Sequence, residues 1–158
     1  MLENRTLTFV SLECFTHCEI GMEVHKKSAP YVKNRWNISV VFSAFAPSIS
    51  IIEKLLGVKL PKPKKEINNI KIYDEKGDIE VCAILSERLL QLFGSDIVVV
   101  SSAGEGRGCV IVKFKGKTFV IHSDFEVKNF EKAEEKEIRM RKNSAKEKTL
   151  KLLENLLR

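Results

Sequence analysis

The stretch that decides the fold runs Leu7-Thr8-Phe9-Val10-Ser11-Leu12-Glu13-Cys14-Phe15-Thr16-His17-Cys18-Glu19-Ile20-Gly21. Residues 6–12 are short, apolar and partly β-branched, which predicts a buried strand. A helix is predicted directly afterwards, from near Thr16 through Lys26. Two cysteines and a histidine therefore stand at the junction of a strand and a helix. This junction is where α/β proteins usually bind their ligands.

Strands and helices alternate along the rest of the chain, and a hairpin follows them. We predict strands at residues 37–43, 96–101, 109–114 and 118–122, and a short strand or extended link at 70–73. We predict a loop at residues 61–65 and helices at 47–56 and 79–93. The helix at 79–93 carries an apolar stripe of Val81, Ile84, Leu85, Leu89 and Leu92. A long polar helix from about residue 130 is expected to pack inward through Leu150, Leu153 and Leu157.

This order of elements predicts an α/β fold, a layered sandwich with a central mixed β-sheet flanked by helices. A length of 158 residues suits one domain, residues 1–158. The longest apolar stretch, residues 38–52, is interrupted by Pro47 and is shorter than the roughly 20 residues of a membrane helix. The N-terminus shows no basic start followed by an apolar block, so we predict no signal peptide. We therefore expect a cytoplasmic protein without a membrane partner.

The net charge of +6 permits an anionic partner but does not name one. Part of the excess lies in residues 59–65, where two prolines oppose regular structure. The C-terminal segment mixes acidic with basic side chains, whereas nucleic-acid binders more often gather positive charge on one face. We expect no nucleic acid as a partner.

The four cysteines have different surroundings. Cys82 and Cys109 lie within apolar patterns, which predicts small core residues. Cys14 is predicted to occupy the most accessible turn of the fold, near unpaired backbone N–H groups and the positive end of a helix. Such surroundings favour thiolate, the nucleophilic form of cysteine. Glu13 opposes this effect unless its side chain points to the other face of the strand.

Two other interpretations of this turn stay open. Cys14, His17 and Cys18 could ligate a metal, but structural zinc needs four ligands and no second pair is apparent. The cysteines could also be buried residues beside a locally hydrogen-bonded histidine. Burial is a stronger alternative to a functional role for Cys18 than for Cys14.

A second loop, Ser101-Ser102-Ala103-Gly104-Glu105-Gly106-Arg107-Gly108, follows a strand of three valines. Its consecutive N–H donors predict an anion-binding nest, and Arg107 would pair with phosphate or carboxylate. The spacing differs from a dinucleotide fingerprint, since a strand follows where a helix is required.

Nearly the whole chain resembles the CinA C-terminal domain family, which includes nicotinamide-nucleotide deamidases. The match comprises Leu12-Glu13-Cys14-Phe15-Thr16-His17, Leu55-Leu56-Gly57-Val58 and the glycine-rich loop. Cys14 stands where that family has its catalytic serine. The family's catalytic lysine falls on Ile52, and its twin glycines fall on His17 and Cys18. The resemblance implies a CinA C-terminal-like fold, while these departures oppose amide hydrolysis.

The string Glu13-Cys14-Phe15-Thr16-His17, followed by Ile20-Gly21, is similar to the opening motif of the HcgF family. That family takes part in assembling the iron–guanylylpyridinol cofactor of [Fe]-hydrogenase in methanogens. The resemblance implies that Cys14 captures the carboxyl group of guanylylpyridinol as a thioester, after its activation elsewhere as an acyl-adenylate. It also implies that the guanylyl part binds near the glycine-rich loop, that an acyl-adenylating enzyme is a partner, and that no prosthetic group is needed.

The leading hypothesis is thus an acyl-accepting protein of cofactor biosynthesis with Cys14 as its catalytic residue. Its expected substrate-binding residues are Thr16, His17, Ser43, Ser102, Gly104, Glu105, Gly106 and Arg107. The alternatives are an amidohydrolase of the deamidase type and a non-enzymatic metal or redox module. The long C-terminal helix either covers the sheet or flanks the interface of a homodimer.

Overall fold

A computed structural model describes residues 5–158, and its centre is a five-stranded sheet in the order β2-β1-β5-β6-β7. The first three of these strands are parallel, and β6 and β7 are antiparallel additions, so the sheet is mixed. A separate antiparallel hairpin joins β3 to β4. The strands are β1 (Leu7–Glu13), β2 (Ile38–Phe45), β3 (Lys65–Ile67), β4 (Ile70–Ile72), β5 (Ile97–Ser102), β6 (Cys109–Phe114) and β7 (Lys117–Ile121).

Helices cover both faces of the sheet. They are α1 (Glu19–Ser28), α2 (Ile49–Leu56), α3 (Glu75–Phe93) and α4 (Glu135–Leu156). One apolar cluster packs α2 and α3 on the sheet, and Cys82 and Cys109 are fully buried in it, as predicted. The other cluster packs α1 and α4 on the opposite face. The architecture is the predicted α/β sandwich, and no helix of residues 5–158 is long and apolar enough to cross a membrane.

The ends of several elements differ from prediction. The long helix starts at Glu135, after a separate 3-10 turn at Phe130–Lys132, and its Leu153 is buried. Helix α3 starts four residues early, because the Asp74 side chain accepts a hydrogen bond from Gly77 N and caps it. Leu92 is exposed, contrary to prediction.

The hairpin of β3 and β4 was predicted only in part. Its second strand matches the short strand predicted at residues 70–73, whereas its first strand begins at the end of the predicted loop. The chain turns between them through Asn68 and Asn69, both with positive φ, which asparagine tolerates better than most residues. The hairpin joining β6 to β7 is confirmed, with Lys115 and Gly116 at its turn.

Candidate functional site

The carboxyl ends of β1 and β5 meet at one edge of the sheet. Cys14 N lies 3.1 Å from both the carbonyl oxygen and the hydroxyl oxygen of Ser101 and donates to them. The two loops singled out in the sequence, the cysteine turn and the glycine-rich loop, therefore start side by side. This edge is our candidate functional site.

Glu13 organises the cysteine turn from a fully buried position. Its carboxylate accepts hydrogen bonds from the Ser11 hydroxyl at 2.8 Å and the Thr16 hydroxyl at 2.7 Å. It also accepts from the backbone N–H groups of Ile20 and Gly21, each at 3.0 Å. Burial raises the pKa of Glu13, and these four donors act against that rise. The side chain points towards α1, on the face opposite to the neighbouring core residue Leu12.

The turn itself ends with His17 and Cys18 in the left-handed region, at φ of 52° and 63°. Helix α1 therefore starts at Glu19 instead of near Thr16 as predicted. Cys18 is its N-cap residue but makes no capping hydrogen bond through its side chain. Glu13 performs that role from the preceding strand, since it binds two of the unpaired N–H groups of the first turn. The sequence alone does not indicate that Glu13 binds the first turn of α1.

Cys14 is less accessible than predicted, with 6% of its surface exposed. It is nevertheless part of neither apolar cluster. Within residues 5–158, no side chain hydrogen-bonds to its sulfur, so no general base contacts it directly. The turn is held against β5 by Thr16, whose hydroxyl lies 2.7 Å from that of Ser101.

His17 and Thr16, both predicted to line the site, lie differently. Thr16 is fully buried and bonded to Glu13, so it supports the turn from within. The His17 ring packs edge-on against Phe45 with ring centroids 5.8 Å apart. Burial, followed by the charge of Lys142, lowers the pKa of His17, so the imidazole is neutral at neutral pH. His17 therefore adds no positive charge next to Cys14.

Cys18 belongs to a chain of hydrogen bonds that ends on Glu13. Its sulfur lies 3.0 Å from the Ser43 hydroxyl, which lies 2.6 Å from the Ser11 hydroxyl. The Ser11 hydroxyl donates to Glu13. The Ser43 hydroxyl must therefore donate to Ser11, and the Cys18 thiol must donate to Ser43. Burial raises the pKa of Cys18, which agrees with a protonated donor. Ser43, which was expected to bind substrate, thus contacts Cys18. In residues 5–158 no group of three His, Cys, Asp or Glu side chains is arranged to hold a metal ion.

The glycine-rich loop does not form the predicted anion nest. Four consecutive N–H groups of the loop donate within the protein: Gly104 to Asp78, Glu105 to the Tyr73 carbonyl, Gly106 to the Val127 carbonyl and Arg107 to Glu75. Arg107 also pairs with Glu75 through its guanidinium, at 2.9 Å. The carboxylates of Asp78 and Glu75 in α3 accept two of these hydrogen bonds, so they take the place of a bound anion. A shallow cavity of about 620 Å³, lined by β7 and α4, opens beside Arg107.

Asp78, which sequence reasoning missed, holds the loop in place. It lies near the start of α3, is fully buried, and accepts from the Ser102 hydroxyl at 2.8 Å and from Gly104 N at 3.0 Å. Ser102, expected to bind substrate, is therefore buried and bonded to Asp78. Burial raises the pKa of Asp78 to about 6, while its hydrogen bonds, Lys71 and Arg141 act in the other direction.

The raised pKa of Asp78 predicts a pH dependence of stability. As the pH falls from about 7.5 to 5, Asp78 gains a proton in the folded protein before it does in the unfolded chain, where its pKa is near 3.8. The free energy of unfolding of the wild type should therefore rise by about 1 kcal/mol relative to that of Asp78→Asn. Urea unfolding of both proteins at the two pH values measures this, and an unchanged difference would contradict the assigned burial effect.

Arg141 of α4 joins the two loops and is also new to the site. Only 1% of it is exposed, and its Nη1 donates to the carbonyl oxygens of Gly104 at 2.7 Å and Gly106 at 3.1 Å. Its guanidinium lies 5.6 Å from the centre of the Phe15 ring. Burial lowers the pKa of Arg141, and the charges of Asp78 and the Cys14 sulfur act against that. The sulfur and this guanidinium therefore lie within electrostatic reach of each other.

The same helix supplies two further cations to the cysteine turn. Lys142 and Lys146 both pair with Glu19, the first residue of α1, at 2.6 Å and 3.2 Å. From the sequence, α4 was expected to cover the sheet or to flank a dimer interface, and a contribution to the cysteine turn was not predicted. One signal was available: Arg141, Ala145, Thr149 and Leu153 are spaced by four residues and form the buried stripe of this helix.

Comparison with known proteins identifies the family of this chain. The family model described as "FeGP cofactor biosynthesis protein HcgF" matches residues 6–157. The chain belongs to the HcgF family. It accordingly has a role in cofactor biosynthesis.

Relatives of this HcgF-family protein come from methanogens. The UPF0254 protein MJ1251 of Methanocaldococcus jannaschii is 34% identical over 131 residues, which cover 75% of this chain and 78% of the relative. The UPF0254 protein of Methanothermobacter thermautotrophicus strain Delta H is also 34% identical, over 151 residues that cover 92% and 95% of the two chains.

Solved structures of CinA-superfamily proteins share the fold. A competence or damage-inducible protein from Enterobacter asburiae has a TM-score of 0.58 at 14% identity, covering 97% of this chain and 89% of its own. A CinA-superfamily protein from Enterobacter cloacae has a TM-score of 0.57 at 16% identity, covering 97% and 83%. The predicted CinA C-terminal-like fold is confirmed. In the HcgF-family protein Ile52, aligned above with the deamidase lysine, is a core residue with 2% exposure.

Proposed function

We propose that this HcgF-family protein captures the activated carboxyl group of guanylylpyridinol as a thioester on Cys14. The observation that carries the proposal is the position of Cys14. It directly follows β1 at the carboxyl edge of the sheet, next to the glycine-rich loop and within electrostatic reach of Arg141. Membership of a cofactor-biosynthesis family supplies the substrate class.

The reaction is an acyl transfer from a mixed anhydride. The Cys14 thiolate attacks the carbonyl carbon of an acyl-adenylate, a sulfur–carbon bond forms, and the carbon–oxygen bond to phosphate breaks. The bond's electron pair leaves with adenylate, and the thiol proton is lost to solvent before attack. We propose that a separate acyl-adenylating enzyme in the cytoplasm supplies the anhydride, and that this protein needs no prosthetic group.

Two features support a thioester that persists. No side chain of residues 5–158 hydrogen-bonds to the Cys14 sulfur, so no general base is held on the sulfur itself. The low exposure of Cys14 also limits the access of water to a bound acyl group. Both features favour storage of the acyl group over its hydrolysis.

The remainder of the ligand would extend from Cys14 towards two neighbouring groups. The neutral imidazole of His17 adjoins the pyridinol end, where it can donate or accept a hydrogen bond without adding charge. The cavity beside Arg107 has room for the guanylyl end. In that case Arg107 would exchange part of its ion pair with Glu75 for contact with the ligand.

Mass spectrometry of the intact protein tests the thioester. Incubation with guanylylpyridinol acyl-adenylate should add the mass of one acyl group, and neutral hydroxylamine should remove it because thioesters react readily with that reagent. Cys14→Ala should abolish the adduct, whereas Cys18→Ala should retain it, since the Cys18 thiol is a protonated donor to Ser43. An adduct that survives Cys14→Ala, or no adduct on the wild type, would overturn the proposal.

A further inference from the structure

An open cavity lies at the amino end of the parallel strands, at the edge of the sheet opposite to Cys14. Its walls include Leu7, where β1 begins, and Ser95 and Asp96, which directly precede β5. The turn of the hairpin between β6 and β7 completes the walls, and the volume is about 440 Å³. Because a strand rises about 3.3 Å per residue, the seven residues of β1 place the cavity roughly 20 Å from Cys14. The cavity is therefore separate from the candidate functional site.

Ser95 is the residue of this cavity that indicates a ligand. Only 4% of Ser95 is exposed, and its hydroxyl oxygen is buried. Within residues 5–158 this oxygen has no hydrogen-bond partner, and no other buried hydroxyl of that range lacks one. Buried polar side chains are nearly always hydrogen-bonded, because a buried hydroxyl without a partner destabilises the folded protein. A serine side chain has one torsion with three staggered positions, so the hydroxyl can turn towards a ligand that enters the cavity.

More positive than negative charge lines this cavity. Four basic side chains contribute to its walls, namely Arg5, Lys113, Lys115 and Lys117. Arg5 forms an ion pair with Asp96. Lys113 forms an ion pair with Glu87 at 3.1 Å. Lys115 and Lys117 form no ion pair in the part of the chain that the structure describes, so the cavity keeps an excess of two positive charges.

A second cavity, of about 480 Å³, adjoins the first one. Phe114 and Lys115 line both cavities, and the Lys115 ammonium group lies 4.9 Å from the centre of the Phe114 ring. Trp36, the one tryptophan of the chain, lines the second cavity together with Leu156 at the end of α4. Aromatic and apolar walls favour the ring of an organic ligand. The two cavities thus offer a cationic part and an apolar part to the same molecule.

We propose that these adjoining cavities bind a small organic phosphate with an aromatic ring. Its phosphoryl oxygens accept hydrogen bonds from the Ser95 hydroxyl and from the ammonium groups of Lys115 and Lys117, and its ring lies along Phe114 towards Trp36. A phosphate monoester has three acceptor oxygens and a charge of about −1.5 to −2 at neutral pH, which matches the unpaired hydroxyl and the two unpaired cations. A carboxylate, with a single charge, would neutralise only one of those cations. The inference does not depend on the thioester chemistry at the opposite edge of the sheet.

Isothermal titration calorimetry with phenyl phosphate, at constant ionic strength, tests the site. Phenyl phosphate should bind more tightly than inorganic phosphate and than benzoate, and it should change the fluorescence of Trp36 because its ring reaches the second cavity. Ser95→Ala should weaken the binding of phenyl phosphate about tenfold, since a hydrogen bond to a charged group is lost. Ser50→Ala, the matched control at an exposed position of α2, should leave the affinity unchanged.

Two further comparisons complete the test. Lys117→Met should weaken binding about threefold, the usual size for an exposed charge, whereas Lys62→Met on a distant exposed loop should not. Without ligand, urea unfolding should show Ser95→Ala to be at least as stable as the wild type, because the deleted hydroxyl has no partner within residues 5–158. A destabilised Ser95→Ala, equal affinities of Ser95→Ala and the wild type for phenyl phosphate, or no binding by the wild type overturns the inference.

Discussion

Glu13→Ala is expected to lower the free energy of unfolding by about 3–5 kcal/mol, because several buried donors lose their acceptor at about 1 kcal/mol or more each. The substitution leaves four donors without their acceptor: the hydroxyls of Ser11 and Thr16 and the N–H groups of Ile20 and Gly21. A buried donor without a partner loses about 1–3 kcal/mol of hydrogen-bonding energy. Urea unfolding followed by circular dichroism measures the effect.

Two further variants make this test specific. Glu13→Gln keeps the shape but turns an amide N–H₂ towards donors, so it should also destabilise the protein strongly. Glu23→Ala, on the outer part of α1, removes only the ion pair with Lys26 and should change stability by about 1 kcal/mol or less. Similar losses in Glu13→Ala and Glu23→Ala would show that Glu13 does not organise the turn.

Gly104→Ala should destabilise the protein by about 3 kcal/mol, the upper part of the range for overpacked positions. A Cβ atom at this position would lie 2.5 Å from the carbonyl oxygen and 2.6 Å from the nitrogen of Tyr73. Those atoms are backbone, so the loop and the segment after β4 must separate. The separation also removes Gly104 N from Asp78. Thermal unfolding measures the loss of stability.

Gly94→Ala is the matched control for this prediction. Gly94 ends α3 with a φ of 58°, and a Cβ atom there would meet no other atom within 4 Å. Gly94→Ala should therefore lower the free energy of unfolding by only about 1 kcal/mol, because alanine adopts this left-handed backbone conformation less readily than glycine. If Gly104→Ala were no more harmful than Gly94→Ala, the close contact between the loop and Tyr73 would be wrong.

The layered fold could be predicted because its strands are short apolar runs with helices between them. The three valines of β5 and the apolar start of β1 determine the centre of the sheet. The helix starts were harder to predict, since they depend on side chains that bind distant backbone. Glu13 sets the start of α1 from the preceding strand. Periodicity in the helix itself contains no trace of such a contact.

The candidate site could be predicted only where its residues are adjacent in sequence. Cys14 and the glycine-rich loop formed recognisable motifs, and the structure brings both to one edge of the sheet. Asp78 and Arg141 come from two separate helices, and each resembles an ordinary surface residue in the sequence. Their importance follows from burial, which single-sequence patterns do not reveal for a charged residue.

The distance along the chain between the two halves of the site has a consequence for biosynthesis. Cys14 emerges with the first strand, whereas the cations Arg141, Lys142 and Lys146 arrive with α4. Lys146 and Glu19, which join those two parts, are 127 positions apart. Domains form as units during translation, and pairing of remote segments comes late. A nascent polypeptide thus carries its thiol well before the charges beside it, and the proposed thioester chemistry must await the synthesis of α4.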